Sequence, residues 1–441
     1  MLLLAKRMRD TSSLKWFKDA LKGNDKVKVS LFVFGVFLIS LIFYLMIFTG
    51  YTTLDDEIVG ILAAPTQTVP ILNSTFGTNL TTENITVYNQ STADGDGNLI
   101  KNIYSWDKNG QAFDVLNLPF EGPSNNSMTY EYSSSAHSLY FPVTNRPTWN
   151  ATGGWDGYGC YDFNASSQQY FNVSDSNDLD LLSTSTVVFW IKPLNNSAVS
   201  GIIGKGRATT GITHHYLFGL NATMPRAYGV ASPGYSDLQE FTNAQVLLST
   251  WQHIAIRFNG SKAYLFQNGT NTDSIDYLLG GKNDEPLVIG GGLSGIYFNG
   301  SLDDITIYRA ALSDEQISSF YNFGMHRIHN ASTEVADVFR AYVIPNDGSE
   351  DGSNLSSAIT ILAPNNLPTI FNTHINSSAG NNRTGEGLRC YANVSDEDVG
   401  DLFTVNYTWY KNGVINNSGA KGVLLGIETR INVLTASFTT K

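Results

Sequence analysis

The feature that most constrains the fold is a segment that occurs twice. Residues 92–110 are TADGDGNLIKNIYSWDKNG and residues 395–413 are SDEDVGDLFTVNYTWYKNG, aligned without a gap at an offset of 303. Trp106 and Trp409 are each followed by x-Lys-Asn-Gly, and an acidic turn precedes each strand-like alternation. Alternation of apolar and polar residues is typical of a strand with one buried face. The repeat therefore predicts two similar β-sandwich domains, each with a Trp in its core.

The chain between the copies also has the period of strands, for example over residues 185–192, 251–258 and 302–308. Turn residues separate these segments, a pattern typical of sandwiches and barrels. One short helix is predicted over residues 313–321. Ser313 is placed to cap it and Gln316 to complete a capping box.

At the repeat the chain resembles immunoglobulin-like domains of microbial, archaeal-type surface proteins. The last strands of that family look like residues 338–352 and 359–362, which occur once, just before the second copy. The resemblance implies a first immunoglobulin-like domain split into residues 66–115 and 333–363. A second such domain is expected at residues 367–441, ending inside its fold.

The same resemblance implies a place for a disulfide bridge between two strands. Cys390 occupies one half of it, and the matching positions of the first copy are Val87 and Ala341. The partner of Cys390 would then lie beyond Lys441; the alternative is a free buried Cys390. Cys160, in a strand-like segment, is expected to replace a small core residue.

Residues 116–330 carry a second resemblance. The segments 118–122, 149–159, 170–173, 188–193, 251–255 and 298–317 look like the laminin-G-like, concanavalin A-like lectin/glucanase superfamily. That fold is an antiparallel jelly roll of two sheets. The resemblance implies an all-β chain in which a concanavalin A-like jelly roll is inserted into an immunoglobulin-like sandwich.

The first residues of the chain predict a membrane anchor. Residues 1–28 carry eight Lys or Arg against three Asp, and residues 29–49 are uncharged and apolar. Such a run is long enough to span a bilayer, and the basic flank predicts a cytoplasmic N-terminus. We expect a retained signal-anchor helix at 29–49, a linker at 50–65 and an extracellular remainder; a cleaved signal peptide is the alternative.

Two further patterns bear on location and partners. Glycosylation sequons run from Asn73 to Asn416, and none precedes the apolar run. The formal net charge is −12 although the N-terminal tip is basic, so the body of the chain is acidic. An acidic body excludes a nucleic-acid binder, because a phosphate-binding surface needs basic charge.

No catalytic pattern is found in the sequence. Glucanases of the resembled superfamily use a Glu-x-Asp-x-(x)-Glu strand motif, since glycoside hydrolysis needs two carboxylates across the scissile bond. That spacing does not occur here, and the nearest acidic run, residues 175–180, has no Glu. We predict that the chain is not an enzyme.

Acidic residues at two kinds of position are candidates for structural Ca²⁺, which binds carboxylate and backbone oxygens. The resemblance to jelly rolls implies a site at Asp303 and Asp304; the alternative is one Asp facing solvent beside one facing the core. The turns of the repeat contribute Asp94, Asp96, Asp396 and Asp398. There, an Asx-type turn is the alternative.

Aromatic residues in Gly-rich or polar stretches are candidates for sugar contacts, because exposed rings form stacking surfaces. They are Trp149, Trp155, Tyr158, Tyr235 and Tyr297. The predicted function is that of a membrane-anchored adhesion protein that binds a glycan or a glycosylated surface protein. The alternatives are a structural spacer of the cell envelope without a small ligand, or the accessory binding region of a larger surface enzyme.

Overall fold

The computed structural model describes residues 63–194, 199–206, 215–228, 238–277, 279–293, 296–398 and 401–439. The predicted cytoplasmic segment 1–28, the predicted anchor 29–49 and most of the linker 50–65 lie outside them. Among the described helices, none has the length and apolar character needed to cross a membrane. The anchor therefore stays a prediction.

Strands dominate the described residues, which confirms the all-β prediction. In the first part of the chain they are β1 (Thr66–Ser74), β2 (Ile85–Ala93), β3 (Lys101–Lys108), β4 (Gln111–Ala112), β5 (Asp114–Leu118), β6 (Leu139–Tyr140), β7 (Thr148–Asn150), β8 (Cys160–Phe163), β9 (Phe171–Val173), β10 (Thr186–Pro193), β11 (Ser200–Lys205), β12 (Tyr216–Asn221), β13 (Met224–Tyr228) and β14 (Leu238–Glu240).

The second part continues with β15 (Gln252–Asn259), β16 (Lys262–Gln267), β17 (Thr270–Asp276), β18 (Leu287–Ile289), β19 (Gly291–Leu293), β20 (Ile296–Tyr297), β21 (Gly300–Tyr308), helix α1 (Asp314–Phe323), β22 (Arg327–Ile328), β23 (Val338–Asn346), β24 (Leu355–Thr360), β25 (Thr369–Ser377), β26 (Leu388–Ser395), β27 (Phe403–Lys411), β28 (Val414–Val423), β29 (Thr429–Leu434) and helix α2 (Ala436–Thr439). Short 3-10 turns lie at Ala165–Ser167 and Asn330–Ser332.

The middle of the chain forms a large sandwich of two sheets. One has the strand order β17-β16-β15-β10-β21-β8-β7, with β5 also paired to β21; the other has the order β14-β13-β12-β11-β18-β9-β6. All the pairings are antiparallel. Inward-facing side chains of both sheets, among them Phe189, Phe218 and Ile305, form one buried core. Alternation along each strand thus places one set of residues inside.

The strands on either side of the large sandwich come together as a small sandwich. Its sheets have the orders β1-β2-β22 and β24-β23-β3-β4. Strand β23 pairs with β3 so that Ala341 lies opposite Trp106, and both are fully buried. Residues far apart in sequence therefore pair within one small sandwich. The immunoglobulin-like assignment of this sandwich stays a prediction.

The chain returns from the large to the small sandwich earlier than residue 333. Strand β22 pairs with β2, where Ile328 lies opposite Ile85, and both side chains are fully buried. At the other boundary, β5 begins at Asp114, two residues before the predicted start of the jelly roll. The later of these boundaries follows from burial, because pairing β22 with β2 removes the apolar side chains of Ile85 and Ile328 from water.

The two sandwiches share a continuous apolar contact. Phe113 lies between them, with its ring centroid 5.4 Å from that of Tyr308 in β21 and 6.0 Å from that of Phe339 in β23. Helix α1 packs into the same cluster through Ile317 and Phe320. The outer face of the eight-stranded sheet is therefore partly covered by the helix and the small sandwich.

Helix α1 begins as predicted but uses one of its capping residues differently. The Ser313 hydroxyl accepts a hydrogen bond from the Gln316 amide at 3.1 Å, so the predicted N-cap is present. The Gln316 side chain, however, accepts from the His329 amide at 2.7 Å and donates to the Arg327 carbonyl at 3.2 Å. It ties the helix to β22 instead of completing a capping box.

Residues 369–434 form a third, C-terminal sandwich. Its sheets are β25-β26-β29 and β27-β28. Its described core is smaller, with Ala392, Val394, Val405 and Ile431 at its centre and Trp409 8 % exposed. The predicted Trp thus lies in the interior of both copies of the repeat.

Candidate functional site

A bulge in β21 brings two neighbouring carboxylates to one place. Trp190 lies opposite Asp303, but the register of β10 against β21 shifts between Val188 and Trp190. Asp304 there has a φ of 46°. On a regular strand adjacent side chains point to opposite faces, and a bulge with positive φ cancels this alternation. The carboxylate oxygens of Asp303, Asp304 and Glu121 consequently lie within 4.8 Å of one another.

Lys101, Glu121 and Asp156 come from three other parts of the chain and join Asp303 and Asp304. These five residues are called the acidic cluster. Lys101 begins β3 in the small sandwich, and the other four belong to the large one. The Lys101 ammonium contacts Glu121 Oε1 and lies 2.6 Å from Asp156 Oδ2 and 3.6 Å from Asp304 Oδ1. The cluster therefore lies at the junction of the two sandwiches.

Burial and mutual repulsion set the protonation of these groups. Burial raises the pKa of the Glu121 carboxyl to about 7, and it raises the pKa of Asp303 and of Asp304 as well. Burial alone would lower the pKa of Lys101, but the Asp304 and Glu121 carboxylates outweigh it and hold that pKa well above its usual value. The ammonium is the stable charge of the cluster.

Calcium at Asp303 and Asp304 stays a prediction, and the hydrogen bonds already made by the oxygens of the acidic cluster bear on it. Asp303 accepts hydrogen bonds from the amides of Trp155 and Asp304, at 3.1 and 2.8 Å. Asp304 Oδ2 accepts from the Trp155 indole at 2.6 Å. Glu121 Oε2 accepts from the Gly159 amide at 3.0 Å. Calcium requires six to eight oxygen ligands, and most of these oxygens already have N–H donors.

Partly exposed rings lie beside the acidic cluster on the outer face of β10 and β15. Trp155 stacks on Trp190, with centroids 4.0 Å apart and planes 6° apart. The Trp190 ring also packs near Tyr321 of helix α1 and near His253, with ring centroids 5.9 Å and 5.3 Å away. Trp155, Trp190, His253 and Tyr321 are together called the aromatic row. One place on the protein thus combines ring faces with carboxylates.

His253 forms the buried floor of the aromatic row. It is 2 % exposed, and its Nδ1 has no hydrogen-bond partner. Burial lowers the pKa of its imidazole to about 3. A neutral imidazole therefore lies beneath Trp190 and Tyr321 throughout the physiological range.

The predicted sugar-contact residues are spread over different places. Trp149 packs on the core, and its indole donates to the Phe120 carbonyl at 2.8 Å. Tyr158 lies near the acidic cluster, with the Lys101 ammonium 5.8 Å from its ring. Tyr297 lies in β20, which pairs with β19, and its ring centroid is 6.3 Å from that of Tyr170. Tyr235 lies outside the described residues. The structure joins Trp155 and Tyr158, but not Trp149 and Tyr297, to one site.

The acidic turns of the two repeat copies have the same hydrogen bond. Asp94 Oδ1 accepts from the Asp96 amide, and Asp396 Oδ1 accepts from the Asp398 amide, both at 2.8 Å. These are Asx turns, the alternative considered for them. The matching residues are 302 apart, so the gapless alignment is off by one position in the turn. In the second copy, the carboxylates of Asp396, Asp398 and Asp401 lie within 4.8 Å of one another. Calcium at either turn stays a prediction.

The two cysteines are not bonded to each other. Cys160 is buried in β8, as expected for a residue replacing a small core side chain, and burial raises its pKa. Cys390 is a half-buried thiol in β26, opposite Ile375 and Asn432. The positions matching the predicted bridge in the first copy, Val87 and Ala341, are both buried. The bridge of Cys390 stays a prediction.

Sequence reasoning missed several members of the site. Lys101 is part of the repeat, but the repeat pattern gives no sign of its ion pairs. Trp190 and His253 lie in strands that alternate normally, and such residues are more often core than ligand contacts. The register of β10 against β15, which puts Trp190 opposite His253, is the information that identifies the row.

A family profile matches most of the large sandwich. Residues 165–318 match the profile of the concanavalin A-like lectin/glucanases superfamily. The predicted resemblance is confirmed over these residues. Usherin of Homo sapiens is 22% identical over 203 residues, which is 41% of this chain. The chain spans 4% of the length of usherin.

Solved structures give weaker likenesses. Domain 4 of the extracellular arabinanase AbnA of Geobacillus stearothermophilus, in complex with arabinotriose, has a TM-score of 0.36 at 14% identity, covering 47% of this chain and 98% of that one. The sialidase CBM40 of Ruminococcus gnavus, bound to α2,3-sialyllactose, has a TM-score of 0.27 at 18% identity, covering 33% and 86%. These scores are too low to support any conclusion about this chain.

Proposed function

We propose that this protein binds carbohydrate at the aromatic row, where the partly exposed Asp156 and Asp304 carboxylates, whose internal partners do not use all their lone pairs, accept hydrogen bonds from sugar hydroxyls. The observation that carries the proposal is the placement of the stacked Trp155 and Trp190 against Asp304 and Asp156. The superfamily matched by residues 165–318 includes lectins, which agrees with a binding role.

The chemistry of the site fits a sugar ring. Apolar C–H faces of a sugar pack on aromatic rings, and its hydroxyls donate to carboxylates. Trp155, Trp190 and Tyr321 are half-buried, so they offer area while their positions are fixed by packing. The Asp156 and Asp304 side chains retain 17% and 24% exposure. Rigid rings lose little conformational entropy on binding.

Membrane attachment and adhesion complete the proposed function. The apolar run at residues 29–49 would anchor the chain, and the sandwiches would project the glycan site from the surface. A glycan or a glycosylated surface protein is the proposed partner. Protease protection of the basic N-terminal tip in intact cells tests this topology, because a cytoplasmic tip resists added protease while the sandwiches are cleaved.

A second candidate, a structural spacer without a small ligand, is favoured by one specific observation. The indole N–H groups of Trp149 and Trp155 both donate hydrogen bonds within the protein, to the Phe120 carbonyl and to Asp304 respectively. Internal hydrogen bonds of this kind are also expected of purely structural Trp residues.

The test is binding of the full chain, in detergent micelles, to an array of neutral and acidic glycans. Tyr321→Ala and Trp190→Leu remove rings of the aromatic row. Tyr140→Ala is the matched control, because Tyr140 is a 56 % exposed tyrosine on β6 of the other sheet. Loss of one stacking ring should weaken binding by about 3- to 10-fold, and the control should not.

The outcomes separate the candidates. Binding that Tyr321→Ala weakens and Tyr140→Ala leaves intact supports the proposed site. Binding that survives both row variants but is lost in Tyr297→Ala would move the site to the β19-β20 hairpin. No binding by a chain with a cooperative thermal transition would favour the spacer.

A further inference from the structure

We infer that the Lys101 ammonium takes the place of a divalent cation in the acidic cluster, so that the junction of the two sandwiches is held together without calcium. This inference concerns the junction and is independent of glycan binding. It starts from the positions of the charges: four carboxylates converge from the large sandwich, and the Lys101 ammonium that contacts three of them comes from the small sandwich.

The oxygens of the cluster divide into two sets. One set accepts N–H groups of the large sandwich itself: both oxygens of Asp303, Asp304 Oδ2, Glu121 Oε2 and Asp156 Oδ1. The other set, Glu121 Oε1, Asp156 Oδ2 and Asp304 Oδ1, faces the Lys101 ammonium. The large sandwich thus satisfies one oxygen of Glu121 and Asp304 and leaves the other for a cation.

An ammonium suits the remaining set better than calcium does. Lysine has three N–H donors on one nitrogen, and three carboxylate oxygens surround that nitrogen. A Ca²⁺ ion at this point would be repelled by the Lys101 ammonium while that residue is present, and it would need further oxygens to reach six to eight ligands. The close packing leaves little space to rearrange, because a Cβ on Gly154 would lie 2.5 Å from Asp303 Oδ2.

The position of Lys101 gives its charge a structural consequence. It is the first residue of β3 and lies opposite Asn346 of β23, in the sheet that contains Trp106. Asn346 donates to the carbonyl of Gly122, next to Glu121, and Tyr132 donates to Asp351 at 3.0 Å. Other polar contacts therefore cross the same junction. Removing Lys101 would leave buried carboxylates unpaired, which is costly.

The test uses the full chain with Asp396→Asn and Asp398→Asn, which removes the acidic turn of the C-terminal sandwich as a competing cation site. Terbium, a luminescent substitute for calcium, is titrated into the chain. Its emission is excited by energy transfer from Trp155, which donates a hydrogen bond to Asp304. The parent chain should give no saturable signal. Lys101→Met should gain saturable terbium binding that excess Ca²⁺ displaces, and Asp304→Asn should abolish the gain.

Lys108→Met is the matched control. Lys108 lies on the same strand and pairs with Asp337 at 2.8 Å, but it is not part of the cluster. It should gain no terbium binding. A folded Lys101→Met chain that fails to bind terbium would overturn the inference, as would saturable binding by the parent chain that Asp303→Asn removes.

Lys101→Met could fail to fold, so a measurement on the parent chain keeps the inference testable. The thermal midpoint of this chain, with Asp396→Asn and Asp398→Asn, is compared in calcium and in chelator. We expect the same midpoint in both. A rise of several degrees in calcium, lost in Asp303→Asn, would show that a metal holds the junction and would overturn the inference.

Discussion

The indole of Trp155 donates a hydrogen bond of 2.6 Å to Asp304 Oδ2, while its ring stacks on Trp190 with a centroid distance of 4.0 Å. Trp155 and Asp304 are 149 positions apart in sequence. One side chain therefore links the aromatic row to the acidic cluster, and it fixes the orientation of a carboxylate that also faces Lys101. Its two roles can be separated by substitution.

Trp155→Phe keeps a ring for stacking and removes the indole donor. Asp304 Oδ2 then loses its partner in a largely buried place, so we expect a loss of about 1–3 kcal/mol in the free energy of unfolding. Trp155→Leu should lose more, because it also removes the stacking. Urea unfolding of the three chains measures both steps. Equal stability of Trp155→Phe and the parent would show that the hydrogen bond contributes nothing.

The buried His253 predicts a pH dependence. Its pKa is lowered by burial to about 3, below the ordinary value of 6.5. Between these values the unfolded chain binds a proton that the folded chain excludes, so this residue makes stability fall as pH drops from about 6.5 to 3. Its contribution is fully present above 6.5.

The measurement is the difference in unfolding free energy between the parent and His253→Phe as a function of pH. The variant should lose less stability than the parent on acidification, by on the order of a few kcal/mol at the low end. At pH 7 the two should be similar, because Nδ1 has no partner to lose. Parallel curves over this window would contradict the assignment of a neutral histidine.

A second buried ion cluster predicts a large loss on substitution. The Lys205 ammonium is fully buried and lies 2.6 Å from Asp175 and 2.8 Å from Asp180, which both belong to the acidic run at residues 175–180. Lys205→Met leaves the buried Asp180 without its cation and should cost about 3–5 kcal/mol. Thermal or urea unfolding measures it.

Lys262→Met is the matched control, since its ammonium pairs with Asp276 at 2.7 Å on the surface. Exposed pairs contribute little, so no measurable loss is expected. A Lys205→Met chain as stable as this control would show that the attraction within the buried pair only offsets the free energy lost on desolvating its charges.

Helix α1 offers a paired test of a cap. Ser313→Ala removes the hydroxyl that accepts from the Gln316 amide and should cost about 1 kcal/mol. Ser319→Ala, in the same helix, removes a buried hydroxyl that has no partner, so it should be neutral or slightly stabilising. Urea unfolding compares the two. The reverse order would mean that the helix start is held by its packing alone.

Local sequence patterns predicted much of the fold correctly. The repeat placed Trp106 and Trp409 in sandwich interiors, where they are 0 % and 8 % exposed. The cap at Ser313 depends on four adjacent residues and was visible in the sequence. The Gln316 side chain was not predictable in the same way, because its partners in β22 come from a different part of the sheet.

The sites were predicted less well, for physical reasons. Asp303 and Asp304 were recognised as a pair, but strand alternation predicts opposite faces for them, and only the bulge in β21 brings them together. Trp149 and Tyr297 had the same local signal as Trp155, yet they lie elsewhere. An aromatic residue in a Gly-rich loop does not itself specify what its ring contacts.

The sequence by itself determined the strand periods, the two copies of the repeat and the superfamily of the large sandwich, because these depend on residues near one another or on a pattern kept along the chain. Tertiary structure alone decided that Lys101 meets Asp156 and Asp304, and that Trp190 meets Trp155 and His253. Those contacts depend on strand register and on the junction of two sandwiches. Burial of apolar surface over the whole fold fixes both, and no short segment contains that information.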